Sequence, residues 1–276
     1  MKLEFTKMHG LGNDFVIING LHKPITLTAE QIRALADRYT GIGFDQLVIL
    51  QPATRSDADI MYRVFNADGG EGGQSGNGAR CVARYLREKS ILTSTEISAQ
   101  TIKGLVHFYF EKDDTVRVNM GAPGFEPIDI PLVSPQRQSV YPVVLADRTI
   151  EVHALSMGNP HAVIMVQDIV TADVEKIGKQ LQQHPMFPQS VNVGFLQVVD
   201  RSHVLLRVYE RGAGETLACG TGSCAAVVAG IKGKKLDNAV TVGLARGSLV
   251  IKWEGEGSDV WMTGPATTVF EGQITL

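Results

Sequence analysis

Short, regularly patterned apolar runs dominate the chain. LEFTK, FVIIN, QLVIL and MYRVF come first, then LVHFYFEK and VRVNM; HAVIMV, VGFLQVV, HVLLRVYE, AVTVGLA and SLVIKWE follow in the later half. Each is rich in β-branched or aromatic residues and stops at Gly, Asp, Asn or Pro, which is the signature of β-strands. Alternation predicts a strand with one wet face, whereas an unbroken run such as FVII predicts burial on both faces. Two segments follow the helical period instead. TAEQIRALADRY has Thr28 and Gln31 spaced as a capping box, then apolar Ile32, Leu35 and Tyr39 on one side. TADVEKIGKQLQQ sets Val174, Ile177 and Leu181 on one face. ARCVARYLRE and SCAAVVAGI also read as helices, each entered from a glycine-rich loop. The second is apolar nearly all round, as a helix enclosed by a sheet would be.

The elements recur in order. EGGQSGNGARC, from Glu71, is matched by ETLACGTGSCA, from Glu215, with Ser75 and Cys219 at equivalent tips 144 positions apart (219−75). At that spacing Phe65 meets Tyr209, Gly70 meets Gly214, Gly76 meets Gly220 and Gly78 meets Gly222. GNDFVII, from Gly12, resembles GNPHAVIM, from Gly158, at a spacing of 146 (158−12), a drift that one small loop insertion explains. Chance recurrence of glycines would not keep this order at two separate places. The expected fold is therefore α/β of the α+β type, with two pseudo-symmetric domains, each a curved, mainly antiparallel sheet wrapped around a central helix. The expected boundaries are 1–118 together with a closing C-terminal strand 264–276, and 119–263, with the functional loops in the cleft between the copies.

Composition narrows the function without naming it. The 276 residues are 44% hydrophobic and 20% charged, enough to bury a real core. A formal net charge of -3, with Lys and Arg scattered, gives no electrostatic case for nucleic acid or an anionic membrane as partner. No apolar run reaches the roughly 18 residues a membrane span needs, and MKLEFTKMHG has no signal-like apolar stretch, so a cytoplasmic protein is expected. Three cysteines, Cys81, Cys219 and Cys224, make a disulfide scaffold improbable and turn attention to which thiol is reactive.

The loop LACGTGSCAA offers a specific chemistry. Glycines around Thr221 let the backbone approach a ligand, and N–H groups at a helix start face an anion. A thiol there is expected to have its thiolate stabilised by the helix dipole and its pKa lowered toward working pH. Cys81 and Cys224 lie inside helices among apolar neighbours and read as packing. With no C-x-x-C and no His cluster, a metal site is not expected. Gly220, Gly222 and Ala225 also fit G-x-G-x-x-A with Asp237 downstream, so a dinucleotide turn is conceivable. The preceding strand ends too early for it, and βαβ alternation is missing.

HGLGNDF, FNADG followed by GNGARC, MGNPH, SVNVGF and YERGAGETLACGTG together resemble the diaminopimelate epimerase family over essentially the whole chain. The resemblance implies a cofactor-independent isomerase, without pyridoxal phosphate, metal or nucleotide, that interconverts LL- and meso-diaminopimelate by two-base proton transfer. It implies Cys219 as the acid or base on one face and Ser75 at the position of the second catalytic cysteine. Gly76, Asn77, Gly220 and Thr221 would hold the reacting carboxylate by backbone groups. Asn13, Gln46, Asn66, Asn159, Asn192, Glu210 and Arg211 match substrate positions, with Arg211 able to fork onto the distal carboxylate. His161 and Glu210 would tune the two bases. From the residues alone, each of these asparagines reads equally as a turn residue and His161 as a core histidine. The family also implies a homodimer, and the apolar, β-prone tail TTVFEGQITL makes Phe270 an expected part of the contact. Ser75 departs from the pattern, because a hydroxyl is far less acidic than a thiol. Either it disarms one face of an epimerase, the reading its family-like surroundings favour, or it marks a relative with changed substrate or a non-catalytic amino-acid-binding protein of the same fold.

Overall fold

The computed structural model describes residues 2–73 and 75–276. The chain forms two compact units, one running to Asn119 and resuming at Thr263–Leu276, the other Met120–Met262. The first contains β1 (Lys2–Gly10), β2 (Asn13–Asn19), β3 (Gln46–Gln51), β4 (Ile60–Asn66), β5 (Glu71–Gly72), β6 (Glu96–Thr101), β7 (Gly104–Phe110) and β8 (Val116–Asn119). Its helices are α1 (Ala29–Ala36) and α2 (Gly76–Glu88). The second contains β9 (Tyr141–Val144), β10 (Thr149–Ser156), β11 (Pro160–Met165), β12 (Asn192–Val198), β13 (His203–Glu210), β14 (Gly214–Thr216), β15 (Ala239–Leu244) and β16 (Gly247–Lys252). Its helices are α3 (Val174–Gln182) and α4 (Gly220–Lys232). After β17 (Trp261–Gly264), the chain closes the first unit with β18 (Thr267–Thr275), antiparallel to β1.

The duplication is visible in the pairing. β1 and β2 are antiparallel, β2 and β3 parallel, β3 and β4 antiparallel, β4 and β6 parallel, and β6 and β7 antiparallel. β10 to β16 repeat that order of directions, with β11–β12 and β13–β15 the parallel pairs. Even the register agrees: Phe15 pairs with Gln46, and the matching His161 pairs with Asn192. Short hairpin strands also correspond, Val64 opposite Gly72 and Val208 opposite Thr216. In each hairpin an arginine is closed on a glutamate across the strands, Arg63 with Glu71 and Arg207 with Glu215, at 2.7 and 2.6 Å.

The central strands β2–β3 and β12–β13 are covered on both faces, which is why FVII carries no polar position. Val16 and Ile18 pack with Ile32, Leu35 and Ala36 of α1, in one core with Leu47, Ile49 and Phe65. Phe15 and Ile17, pointing the other way, are equally buried, and α2 contacts β2 and β3. In the second unit Val174 and Leu181 of α3 pack with Val193, Phe195 and Tyr209. Within α4, Cys224, Ala225, Ala226, Val227 and Val228 are wholly buried, as is Cys81 in α2, so both cysteines expected to pack do so. Helix α1 has the expected capping box, Thr28 and Gln31 each bonded to the other's backbone N–H. It ends earlier than the periodicity suggests. The Asp37 carboxylate accepts the amides of Tyr39 and Thr40 at 2.9 and 2.6 Å, a local turn that stops the helix at Ala36 and leaves Tyr39 96% exposed. Tyr39 is thus not part of the core face.

Candidate functional site

Two half-sites, one per unit, collect the residues singled out in the sequence. Ser75 and Cys219 are the N-cap residues of α2 and α4, with φ/ψ of -121/116° and -122/111°. The backbone presents the two side chains alike. Their bonding differs: Ser75 Oγ accepts the Gly78 amide at 3.2 Å, whereas the Cys219 sulfur meets the Gly222 amide without closing a cap bond of ordinary geometry and lies 3.7 Å from Thr221 Oγ1. Glycine is required just beyond each cap. A Cβ on Gly222 would sit 3.2 Å from Cys219 Sγ, and one on Gly78 would sit 3.0 Å from the Phe15 ring.

In the first unit the β1–β2 turn, with Leu11 and Gly12 at φ of 58° and 93°, delivers Asn13 beside the start of α2. A hydrogen-bond relay then runs through it. Arg80, wholly buried in α2, donates to Asn77 Oδ1 at 2.9 Å; Asn77 Nδ2 donates to Asn13 Oδ1 at 3.1 Å; Asn13 Nδ2 donates to Asp45 Oδ2 at 2.8 Å. A guanidinium only donates and a carboxylate only accepts, so the two charged ends fix which way both amides point. Gln46 Nε2 donates to Asn66 Oδ1 at 2.9 Å, so this pair too is assembled by the β3–β4 register.

In the second unit Gly158, at φ 81°, turns the chain so that Asn159 reaches α4, donating to Thr221 Oγ1 at 3.3 Å. Its Oδ1 faces His161 Nε2 at 3.0 Å, so His161 carries its proton there. Burial, helped by the nearby Arg211 charge, lowers the His161 pKa to about 3, and the ring is neutral at any working pH. Asn192 is fixed at both ends, accepting the Arg211 amide at 2.9 Å and donating to the Pro160 carbonyl at 3.1 Å. The Arg211 guanidinium donates to the Gln189 carbonyl at 3.1 Å. Glu210 accepts from Thr216 Oγ1 at 2.5 Å.

One expectation is reversed. Instead of a thiol acidified by its helix, Cys219 has a pKa raised well above the ordinary value. Burial is the largest cause, followed by the Glu210 charge and its hydrogen bond; the Thr221 hydroxyl and Gly222 amide pull the other way and lose. At 4% exposure the cost of desolvating a thiolate outweighs what the helix start offers. Cys219 rests as the thiol. Sequence reasoning also missed Arg80, Asp45 and Thr216. Thr216 could have been found by setting the copies side by side, since Asn66 and Gly72 stand where the second copy has Glu210 and Thr216.

Solved structures share this fold at low sequence identity. A phenazine biosynthesis protein of the PhzF family from Bacillus anthracis superposes with a TM-score of 0.70 at 18% identity, covering 100% of both chains. A hydroxyproline epimerase from Agrobacterium vitis, with bound trans-4-hydroxy-L-proline, gives 0.70 at 16% identity over 99% of this chain and 92% of its own. Much nearer in sequence are two curated relatives, each named diaminopimelate epimerase. That of Nitrosomonas eutropha is 53% identical, covering 100% of both chains, and that of Nitrosospira multiformis is 52% identical over 100% of this chain and 99% of its own. The family model described as diaminopimelate epimerase matches residues 5–126 and 153–269, taking in both half-sites. With the duplicated fold and paired helix-start loops in place, the chain belongs to the diaminopimelate epimerase family.

Proposed function

We propose that the protein interconverts LL- and meso-diaminopimelate without a cofactor, by proton transfer at one α-carbon, and that it does so slowly because Ser75 stands in for a thiol. The observation that carries this reading is the shared N-cap geometry of Ser75 and Cys219 at the starts of the two central helices. Inversion at carbon needs a proton removed on one face and another delivered on the opposite face, hence two acid–base groups acting on one atom. Cys219, a thiol at rest, enters as the acid. To act as base it must first lose its proton, for which the nearby Glu210 carboxylate is the acceptor at hand.

The remaining residues bind and orient. Backbone N–H groups from Gly76, Asn77, Gly220 and Thr221 take the reacting carboxylate and offset charge as the carbanion forms. Asn13, Gln46, Asn66, Asn159, Asn192 and Arg211 position the rest of the substrate, and neutral His161 holds Asn159 in its donor orientation. We further read the protein as a cytoplasmic homodimer acting on a small molecule, with no nucleic-acid or membrane partner. The net charge of -3 supports this, as does the lack of any helix among the described residues long and apolar enough to cross a membrane. The half-exposed Phe270 on β18, 6.0 Å edge-on from Phe5, is the proposed dimer contact.

NMR of each diaminopimelate isomer with the protein in D2O tests the reading. Deuterium entering the α-position, faster from the isomer whose hydrogen points at Cys219, is expected. Tight binding of both isomers with no exchange from either would replace the enzyme by a binding protein.

A further inference from the structure

The duplication supplies an internal control for how the asparagine beside each central helix is aimed. In the second unit the His161 ring meets Asn159 Oδ1 at 3.0 Å. Strand pairing puts Phe15 at the matching place in the first unit, and a phenyl ring has no N–H to offer Asn13. Asn13 is held from its nitrogen end instead, donating to Asp45 Oδ2 at 2.8 Å. Asp45 belongs to a charged cluster. Asp14 accepts the Asp45 backbone amide at 2.9 Å, and Asp45 accepts that of Asp14 at 3.1 Å. Arg38 spans the two: its guanidinium forks onto Asp14 at 2.9 and 2.8 Å, and Nη2 also donates to Asp45 Oδ1 at 2.7 Å. Lys7 pairs with Asp14 at 2.6 Å and donates to the Gly43 carbonyl. In the second unit the same register sets Pro160 in place of Asp14, Val191 in place of Asp45 and Ala154 in place of Lys7. His184 stands, like Arg38, two residues past its helix. That unit builds the same turn and strands with none of these four side chains, so the fold does not require the cluster.

We propose that Arg38 is a positioning residue for Asn13: by clasping Asp14 and Asp45 together it holds the Asp45 carboxylate against the Asn13 amide and so fixes the direction of that amide beside the start of α2. Two carboxylates this close repel each other unless a cation lies between them. Lys7 does not substitute, because it is bonded to Asp14 and the Gly43 carbonyl, whereas Arg38 is the cation paired with Asp45. A planar guanidinium can serve both carboxylates at once. Without it the Asp45 side chain, 44% exposed, is pushed toward water. Asn13 would then keep only the bond that its Oδ1 accepts from Asn77, and one bond leaves an amide free to swing. The effect on ligand affinity rests on reading Asn13 as a substrate contact, but the direction of its amide is measured on the free protein. A protein that proves unable to epimerise would leave the inference standing.

The test is the solvent exchange of side-chain amide protons in the nitrogen-15-labelled, ligand-free protein, with the Asn13 signal assigned by its loss in Asn13→Asp. The Gln46 amide, bonded to Asn66 in the same unit and outside the cluster, serves as reference. In Arg38→Gln the Asn13 proton should exchange about fivefold faster, the weight of one lost hydrogen bond, while Gln46 stays within about twofold of the parent. Arg38→Lys, whose single ammonium cannot fork onto both carboxylates, makes the same comparison if glutamine disturbs the loop. Calorimetry with diaminopimelate supplies the second arm. Arg38→Gln should weaken binding by about three- to tenfold and add no further loss in an Asn13→Ala background, because Arg38 acts through Asn13. Unchanged Asn13 exchange in both variants, or equal acceleration at Asn13 and Gln46 from a loosened unit, would overturn the proposal. So would a loss of affinity that persists in full without the Asn13 side chain. If neither isomer binds the parent, the diaminopimelate reading fails, and the exchange rates alone decide the role of Arg38.

Discussion

Replacing Ser75 with cysteine should raise turnover and lower stability together. Ser75 Oγ caps α2 by accepting the Gly78 amide at 3.2 Å. The second copy shows what a thiol does at that place: Cys219 has nearly the same φ/ψ, and its sulfur meets the Gly222 amide too loosely to close a cap bond. Ser75→Cys is thus expected to give up an N-cap interaction of about 1 kcal/mol. For a unit of this size that lowers the melting temperature by about 2–6 °C. Against this, restoring an acid–base group is worth roughly a hundred- to ten-thousandfold in rate, about 2.7–5.5 kcal/mol of barrier. The gain in barrier exceeds the loss in stability several times over, so the variant should be the better enzyme and the weaker fold. Turnover of both isomers by a coupled or NMR assay, with calorimetry on the same samples, measures both arms. Comparable turnover in the two proteins would refute the two-group mechanism and point to a serine-adapted enzyme. Higher turnover with no loss of melting temperature would refute the capping argument alone.

Two further outcomes are expected. Asp14 sits at about 2, because hydrogen bonds and charge from Arg38 and Lys7 outweigh the burial that alone would raise it. Its folded pKa lies below the ordinary value near 3.8, so the stabilisation is complete above about pH 4 and is lost as pH falls toward about 2. After solvent screening it amounts to about 1–2 kcal/mol. Denaturant titrations at pH 6 and pH 2.5 should show the parent losing more stability than Asp14→Asn, and equal losses would remove Asp14 from the account. Phe270→Glu should shift sedimentation from dimer to monomer at micromolar protein, whereas a parent that is already monomeric refutes the interface.

Much of this architecture is legible in the chain because it is local or repeated. The capping box of α1, the unbroken FVII run and the buried cysteines each follow from a residue's immediate neighbours. The duplication exposes the pairing order, since the same glycines and asparagines recur in register. What escaped depends on depth and on long-range partners. The acidity of Cys219 is decided by burial under the sheet and by Glu210, neither of which a helix-start motif reveals. The Arg80–Asn77–Asn13–Asp45 relay joins residues as far as 67 apart in sequence, from Asn13 to Arg80 (80−13), and no period encodes it. Tyr39 fell outside its helix because an aspartate side chain three residues from Thr40 competed for the backbone.

The matched Arg63–Glu71 and Arg207–Glu215 bridges carry an evolutionary consequence. By holding both hairpins shut with residues that take no part in proton transfer, they separate the inheritance of shape from that of reactivity. After a duplication, positions such as 66, 72 and 75 in one copy can then drift without unravelling the loop that bears them. A lineage can lose one acid–base group, keep a folded protein able to grip its ligand, and regain the group by a single codon change. The scaffold tolerates excursions into silence, and that tolerance is a route by which one ancestral repeat can come to serve unrelated chemistries.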